Sequence, residues 1–234
     1  MTETVAEAID VARVLGSGAG RVQALKNVNL SVKGGELALL MGPSGSGKTT
    51  LLSILGCMLA PTTGTVWIRG RSTEGASAEE LARLRRDNVG FVFQMYHLFP
   101  TLNATDNVRL ALDIRDERAR SAVLKAKDAL AKVGLSHKMT SYPHELSSGE
   151  QQRVAIARAI AGNASVILAD EPTAALDSEN GRAIMTILSA IAKDRSRGVL
   201  VVTHDARLLP FADRVIHLED GQIVQKEKKR ASNR

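Results

Sequence analysis

The chain has 234 residues, of which 44% are hydrophobic, and carries a formal net charge of +6 at pH 7, so it can fill the core of one large domain. Its single cysteine, Cys57, excludes an intrachain disulfide and a cysteine-rich metal cluster, and we expect Cys57 to pack among apolar neighbours. No stretch reaches the roughly 18 apolar residues of a membrane span, and the acidic N-terminus is unlike a signal peptide, which predicts a soluble protein that is not exported.

The first predicted elements precede a glycine-rich loop. Residues 28–32 alternate between apolar and polar side chains, Gly34 and Gly35 predict a turn, and residues 37–41 form a continuous apolar run. We interpret these residues as an antiparallel hairpin that lies against a buried parallel strand.

The glycine-rich loop is followed by a second apolar run, which predicts a strand, a phosphate-binding loop and a helix. Its glycines allow backbone N–H groups to converge on phosphate oxygens at the positive end of the helix dipole. Lys48 can reach the β and γ phosphates, and the Thr49 hydroxyl can bind Mg²⁺. The alternative, a glycine-rich surface loop, does not account for the full spacing G-x-x-x-x-G-K-T. The candidate phosphate-binding residues are Gly42, Pro43, Ser44, Gly45, Ser46, Gly47, Lys48, Thr49 and Thr50.

The rest of the chain alternates between predicted helices and strands. A capping box at Ser77 and Glu80 predicts a short helix that ends near Arg86. This alternation is typical of an α/β fold, and we expect the basic end of the chain, residues 227–234, to be a disordered tail. The remaining predicted helices cover residues 103–134, 149–160 and 178–193, and the predicted strands cover 66–69, 89–94, 166–170, 199–203 and the neighbourhoods of Val215 and Ile223.

Two carboxylates, Asp170 and Glu171, directly follow the apolar run 166–169, where an α/β sheet presents its ligand-binding groups. We expect Asp170 to hold Mg²⁺ and Glu171 to orient and deprotonate the water that attacks the γ phosphate. The alternative for an acidic pair before a proline is a helix N-terminus or a turn. The phosphate loop upstream favours the catalytic interpretation.

Four further segments, in the same order along the chain, resemble the ATP-binding cassette (ABC) ATPases. Residues 146–152, Leu-Ser-Ser-Gly-Glu-Gln-Gln, resemble the signature sequence of that family; Gln94 resembles its Q-loop, Asp177 ends a segment that resembles its D-loop, and His204 resembles its switch histidine. The resemblance covers about residues 22–224. It implies that His204 contacts the γ phosphate and that Gln94 binds the metal and links it to a partner-facing lobe.

The resemblance also implies a fold and its divisions. We expect an α/β P-loop NTPase core with a mixed, mainly parallel sheet and flanking helices, an N-terminal antiparallel β subdomain and an inserted α-helical subdomain. The nucleotide-binding domain would span residues 1–226, with the core at 1–95 and 160–226 and the helical subdomain at about 96–159.

In this family two subunits pair head to tail and enclose ATP. The resemblance therefore implies a homodimer in which Ser147, Ser148 and Gly149 of one copy, at a helix N-terminus, close over the γ phosphate held by the other copy. Asp177 is expected at the same interface. Loss of the γ phosphate on hydrolysis would let the dimer open.

Two positions depart from the family pattern. Ser148 stands where the signature usually has glycine, which would cost about 1 kcal/mol if the backbone there has a positive φ, so we expect reduced rather than abolished activity. Leu15, with Val22 nearby, stands where the family stacks an aromatic residue on adenine. An aliphatic side chain loses much of the stacking energy, and we expect poor discrimination between ATP and GTP.

An apolar patch follows Gln94 and comprises Met95, Tyr96, Leu98 and Phe99. Core packing and a docking surface for a partner helix are both open interpretations. The family receives the coupling helix of its membrane partner near this segment.

We therefore interpret the chain as the ATPase subunit of a membrane ABC transporter, peripheral on the cytoplasmic side of the cell membrane and bound to separate transmembrane permease subunits. Residues 54–57, 85–94 and 149–158 are similar to the branch that powers lipoprotein release, macrolide efflux and heterocyst glycolipid export, which favours export or membrane extraction. The alternative is an ABC ATPase of a cell-division or signalling complex that moves no solute.

Two other classes of ATPase are disfavoured. A nucleic-acid-processing ATPase would predict a long coiled-coil insertion or cysteine zinc sites, and the sequence has neither, so we expect no nucleic-acid partner. A phosphate-loop kinase of small molecules has no need of residues 146–152.

Overall fold

The computed structural model of the protein describes residues 3–115 and 117–228. The strands are β1 Thr4–Leu15, β2 Val22–Lys33, β3 Leu37–Met41, β4 Thr63–Ile68, β5 Arg71–Ser72, β6 Val89–Val92, β7 Val166–Asp170, β8 Gly198–Val202, β9 Arg214–Glu219 and β10 Gln222–Lys228. The helices are α1 Lys48–Leu55, α2 Ala78–Asn88, α3 Ala104–Asp113, α4 Ala119–Lys132, α5 Ser148–Ile160 and α6 Ser178–Ala192, with 3-10 turns at Gly18–Gly20, Pro143–Glu145 and Ala206–Phe211.

The strands form two sheets. The larger sheet has the order β10-β9-β3-β8-β7-β6, and its strands run parallel except for β10, which is antiparallel to β9. The smaller sheet, in the order β2-β1-β4-β5, is antiparallel throughout. The predicted α/β fold with a mixed, mainly parallel sheet and an antiparallel β part is confirmed.

Of the predicted hairpin against a buried parallel strand, the parallel strand is present as β3, whereas the turn at Gly34 and Gly35 does not close a hairpin. Strand β2 pairs with β1 in the small sheet, and the turn at Gly34 and Gly35 leads instead into β3 of the large sheet. Strand β1 itself was not predicted from the sequence. Its apolar alternation is broken at a bulge near Asp10, whose φ is 50°, and the register with β2 shifts between Ala8 and Val11.

The helices follow the predicted pattern with one difference. The capping box at Ser77 is present, with Ser77 Oγ accepting from the Glu80 N–H and the Glu80 carboxylate accepting from the Ser77 N–H. The long predicted helix over 103–134 is two helices, α3 and α4, because α3 ends at Asp113 and α4 begins at Ala119. Strand β10 extends to Lys228, and residues 229–234 of the expected tail lie outside the described residues.

Two apolar cores lie on opposite faces of the large sheet, because alternate residues of the fully buried β3 point to opposite sides. Leu37 and Leu39 pack with α3–α6, and Ala38 and Leu40 pack with α1 and the small sheet. Cys57 lies in the second core, where burial raises the pKa of its thiol to about 11, as expected of a packing residue. Within the described ranges no helix has the length and apolarity that crossing a membrane requires.

Candidate functional site

Parallel strands β3, β6, β7 and β8 end at one edge of the large sheet and open into a cleft of about 930 Å³. This edge collects side chains from segments that are far apart in the sequence. The candidate residues that line the cleft are Leu15, Val22, Ser44, Gly45, Gly47, Lys48, Thr49, Thr50, Gln94, Asp170, Glu171 and His204.

The glycine-rich loop is held in a shape that a side chain would prevent. Gly47, the N-cap of α1, has a φ of 101°, and a Cβ atom there would lie 2.5 Å from the Ala24 carbonyl oxygen. Because glycine has no side chain to cap α1, the first N–H groups of the helix are left facing the cleft. This geometry is typical of a loop that binds an anion with its backbone N–H groups.

Lys48 is buried within this loop, with 8% of its surface exposed. Its ammonium group donates to the carbonyl oxygens of Gly42, at 2.8 Å, and Pro43, at 2.7 Å. Burial lowers the pKa of Lys48, and the nearby carboxylates of Glu171 and Asp170 oppose that shift. A cation is thus fixed beside the N-terminus of α1.

Asp170 ends β7 and faces α1. The Thr49 hydroxyl lies 3.4 Å from Asp170 Oδ1 and donates to it. Burial raises the pKa of Asp170, and the Thr49 hydrogen bond partly offsets this effect. A hydroxyl and a carboxylate from two separate elements therefore converge at one point of the cleft.

Glu171 and His204 form a second pair. His204 Nδ1 lies 2.7 Å from Glu171 Oε1, the Glu171 carboxylate is largely buried and the imidazole is exposed. The Glu171 backbone has a φ of 46°, which non-glycine residues rarely adopt, and its N–H donates to the Val202 carbonyl at 3.0 Å. A locally disfavoured backbone at the mouth of a cleft is typical of functional sites.

The structure keeps another group of candidates apart from this cleft. Ser147, Ser148 and Gly149 lie at the N-terminus of α5, and Asp177 is the N-cap of α6; none of them lines the cleft. Ser147 and Glu150 form a capping box, so the Ser147 hydroxyl already accepts a hydrogen bond at 3.3 Å.

Ser148 is the first residue of α5, is exposed and is absent from the residues with positive φ. The backbone penalty considered from the sequence therefore does not apply. Gly149, in contrast, is buried against α6, and a Cβ atom there would lie 2.6 Å from Asn180 Oδ1. The same Asn180 donates through Nδ2 to Asp177 Oδ2 at 2.8 Å.

Leu15 and Val22 are opposed at the end of the β1–β2 hairpin, above the loop, with 38% and 62% of their surfaces exposed. They form an aliphatic wall of the cleft. No Phe, Tyr or Trp of the described ranges lines it.

Two features were not predicted from the sequence, one in this cleft and one at the N-terminus of α5. The turn Asp220-Gly221 between β9 and β10 lines it, and the Gly221 N–H donates to the Ser46 carbonyl at 3.1 Å. The Asp-Gly dipeptide between two apolar runs is the signal that would have predicted this hairpin turn. Asn180 has no comparable signal, since its contact with Gly149 joins two helices.

The apolar patch after Gln94 divides between the two open interpretations. Leu98 packs against the core, whereas Met95 and Phe99 are 67% and 54% exposed. Phe99 lines a groove of about 270 Å³ together with Ile114 of the α3–α4 connection and Arg158 of α5. The patch therefore contributes both to the core and to an exposed apolar surface.

Comparison with known proteins gives a family and close relatives. The sequence profile of the family described as "ABC transporter" matches residues 25–174. The ABC transporter ATP-binding protein MJ1508 of Methanocaldococcus jannaschii is 46% identical over 220 residues, which cover 94% of this chain and 97% of that protein. The macrolide export ATP-binding/permease protein MacB of Bartonella henselae is 42% identical over 215 residues, which cover 92% of this chain but 32% of MacB.

A solved structure shares the fold. The dimeric, post-hydrolysis structure of the ATP-binding cassette MJ0796 of Methanocaldococcus jannaschii, bound to ADP and Pi, has a TM-score of 0.87 with this chain at 42% sequence identity. The match covers 97% of this chain and 99% of that one.

Proposed function

The chain belongs to the ABC transporter family, and from this premise we propose that it is the ATP-hydrolysing subunit of a membrane exporter, in which two copies enclose ATP and Mg²⁺ between them. One observation carries the proposal. The phosphate loop, Asp170, Glu171 and His204 converge in one cleft, whereas Ser147 and Gly149 lie outside it. A second copy is the natural source of the missing half of the site.

The phosphate loop binds the phosphates of the nucleotide. The first N–H groups of α1, which belong to Lys48, Thr49 and Thr50, and the ammonium of Lys48 bind the β and γ phosphate oxygens, and residues 42–47 form the loop around them. Burial of Lys48 strengthens its interaction with an anion because little water screens the charge.

The residues around Thr49 fit Mg²⁺. A hydroxyl, the Asp170 carboxylate and the Gln94 amide oxygen are hard oxygen donors on the same cleft. In the described ranges no group of three or more His, Cys, Asp or Glu side chains converges on one point, which suits an ion held by a few protein ligands together with phosphates. Bound there, Mg²⁺ would neutralise charge on the phosphates; the chain's part is to orient it.

Glu171 and His204 have different roles in hydrolysis. Glu171 accepts the proton of the attacking water, since its carboxylate stands at the end of β7 beside the phosphate loop. The His204 hydrogen bond at Nδ1 fixes the carboxylate and leaves the exposed Nε2 edge of the ring to contact the γ phosphate.

The second copy completes the site head to tail. Its α5 N-terminus, with Ser147, the exposed Ser148 hydroxyl and Gly149, closes over the γ phosphate, and Asp177 lies at the same interface. The relative MJ0796, which shares this fold, was solved as a dimer bound to ADP and Pi, and this supports the pairing of two copies.

The proposed export function needs a membrane partner. MacB is described as both ATP-binding and permease, and this chain corresponds to about a third of its length. We propose separate permease subunits that dock in the groove beside Phe99 and hold the ATPase at the cytoplasmic face of the cell membrane. In this arrangement residues 1–226 form one nucleotide-binding domain, of which residues 96–159 are the helical subdomain that faces the permease.

Glu171→Gln tests the proposal. Loss of the base lowers turnover about 100-fold or more, while ATP binding persists, so the variant accumulates as an ATP-dependent dimer. Phosphate release and light scattering with ATP and Mg²⁺ measure the two effects. Glu79→Gln, an exposed change in α2, is the matched control and leaves both unchanged. A Glu171→Gln protein that stays monomeric with full turnover refutes the assignment.

A further inference from the structure

The segment that follows Gln94 is bent into a locally disfavoured shape. Tyr96 and His97 both have left-handed backbones, with φ values of 53° and 50°. The His97 N–H donates to the Met95 carbonyl, which makes Tyr96 the centre of a tight three-residue turn. Two consecutive non-glycine residues in this region of φ persist only where contacts from outside the segment hold them.

Arg158 of α5 provides that contact. Its Nη1 donates to the His97 carbonyl at 2.5 Å and its Nη2 donates to the Tyr96 carbonyl at 2.7 Å. Among the ion pairs of the described residues none involves Arg158, and burial alone lowers the pKa of its guanidinium. The partly buried guanidinium, which has no carboxylate partner among the described residues, is therefore used on two backbone carbonyls, which its planar fork matches.

A second anchor holds the other end of the segment. The fully buried Asn107 of α3 accepts from the Phe99 N–H at 2.8 Å and donates to the Phe99 carbonyl at 3.1 Å. The segment is thus fixed by Asn107 at Phe99 and by Arg158 at the strained turn nearest to Gln94.

The position of Arg158 connects two sites. It lines the exposed groove with Phe99 and Ile114, and its guanidinium holds the turn that follows Gln94, which lines the nucleotide cleft. The same helix carries Ser147 at its N-terminus.

We propose that Arg158 is a positioning residue that holds the Tyr96–His97 turn in its strained form and thereby sets Gln94 in the nucleotide cleft and joins it to the docking groove. The role of Gln94 rests on the proposed function. The pair of hydrogen bonds from Arg158 to the turn, which we call the clamp, does not. Arg158 acts through the backbone of the turn and does not itself line the nucleotide cleft.

Arg158→Ala removes the two hydrogen bonds that hold the turn. His97→Gly tests whether the strained backbone of the turn is the reason that these hydrogen bonds are needed. Glycine adopts a positive φ at little cost, so a turn that contains it needs the clamp less. In Arg158→Ala we expect kcat to fall about tenfold while the KM for ATP stays within about twofold. Adding His97→Gly to Arg158→Ala raises kcat about threefold or more above that of Arg158→Ala, whereas His97→Gly alone changes kcat less than about twofold.

Hydrogen exchange gives a readout independent of catalysis. Amides 96–99 exchange faster in Arg158→Ala than in the unaltered chain, and amides of β3 do not. Arg120→Ala, which removes an exposed positive charge from α4, is the matched control for charge and leaves exchange and kcat unchanged.

The outcomes separate this inference from the proposed function. Unchanged exchange over 96–99 in Arg158→Ala overturns the clamp, and so does a kcat loss that His97→Gly does not reduce. A thermal midpoint equal to that of the unaltered chain excludes global unfolding as the cause of a kcat loss. If the unaltered chain hydrolyses no ATP, the proposed function fails, while faster exchange over 96–99 still supports the clamp.

Discussion

The N-termini of α1 and α5 are both candidate phosphate sites, yet they are built differently. At α1 the N-cap is Gly47, the first N–H groups have no side-chain cap, and Lys48 brings a buried positive charge. At α5 the N-cap Ser147 forms a capping box with Glu150, which occupies the N–H groups of both residues and places a carboxylate beside the site.

This difference indicates that the N-termini of α1 and α5 contribute differently to nucleotide binding and turnover. We expect the α1 site to bind a nucleotide by itself because it combines N–H groups that have no side-chain cap with a cation. The α5 site has the helix dipole and the Ser148 hydroxyl, but the one buried Lys or Arg of the described residues is Lys48 at α1. We therefore expect the α5 site to add binding energy only when a phosphate is already held in place. Changes at α1 should therefore weaken nucleotide binding strongly, and changes at α5 should affect turnover more than binding.

Lys48→Ala is expected to have the largest effect. Loss of a charge-assisted contact to phosphate costs up to about 3 kcal/mol, equivalent to about 100-fold weaker nucleotide binding. Titration with a fluorescent ATP analogue measures the affinity. Lys125→Ala, an exposed change in α4, is the control and retains the affinity of the unaltered chain. Equal affinity in Lys48→Ala would contradict the role of the α1 site.

Gly149→Ala tests whether the α5 site affects turnover more than nucleotide binding. The new methyl group meets Asn180 Oδ1 at 2.6 Å, which displaces either the α5 N-terminus or the Asn180–Asp177 pair. We expect turnover to fall about tenfold with monomer affinity for ATP within about twofold of the original. Gly181→Ala is the control: Gly181 lies within α6, and a Cβ atom there would meet the Thr173 side chain at an ordinary 3.6 Å, so turnover stays within about twofold. Full turnover in Gly149→Ala would show that α5 does not approach the phosphate.

Leu15→Tyr tests the part of the α1 site that holds the base. With Leu15 and Val22 as aliphatic walls, the unaltered chain should use ATP and GTP with KM values within about threefold of each other. A tyrosine at Leu15 adds stacking of about 1 kcal/mol, which lowers both KM values by up to about fivefold without restoring base selectivity by itself. Steady-state kinetics with both nucleotides provide the measurement, and strong ATP preference in the unaltered chain would refute the expectation.

Asp170→Asn and Asp177→Asn are expected to have the smallest effects on stability, as shifts of the thermal midpoint of unfolding in opposite directions. Burial raises the pKa of Asp170, so charging it opposes folding and Asp170→Asn should raise the midpoint at neutral pH. Hydrogen bonds from Asn180 lower the pKa of Asp177, so its stabilising effect is present above its unfolded pKa of about 3.9 and is lost as the pH falls. Asp177→Asn should lower the midpoint at neutral pH. Calorimetry of both variants checks the signs, and shifts in the same direction would contradict them.

Much of the fold was predictable because its signals are local. The apolar run of β3, the capping box of Ser77 and the helices α5 and α6 each follow from residues that are neighbours in the sequence. Strand β1 was missed because its bulge at Asp10 breaks the alternation on which the prediction depends. The hairpin was assigned to the wrong strands because a turn gives no information about which sheet the next strand joins.

The sequence by itself determined the phosphate loop, since the positions of Gly47, Lys48 and Thr49 depend on one continuous segment and its backbone geometry. Only the tertiary structure decided which distant residues meet that loop. The strand order β3-β8-β7-β6 is not the order of the chain, and it is this order that brings Gln94, Glu171 and His204 to one edge. Packing between helices likewise placed Gly149 against Asn180 and Arg158 on the turn after Gln94, because contacts between separate elements carry no period or spacing in the sequence.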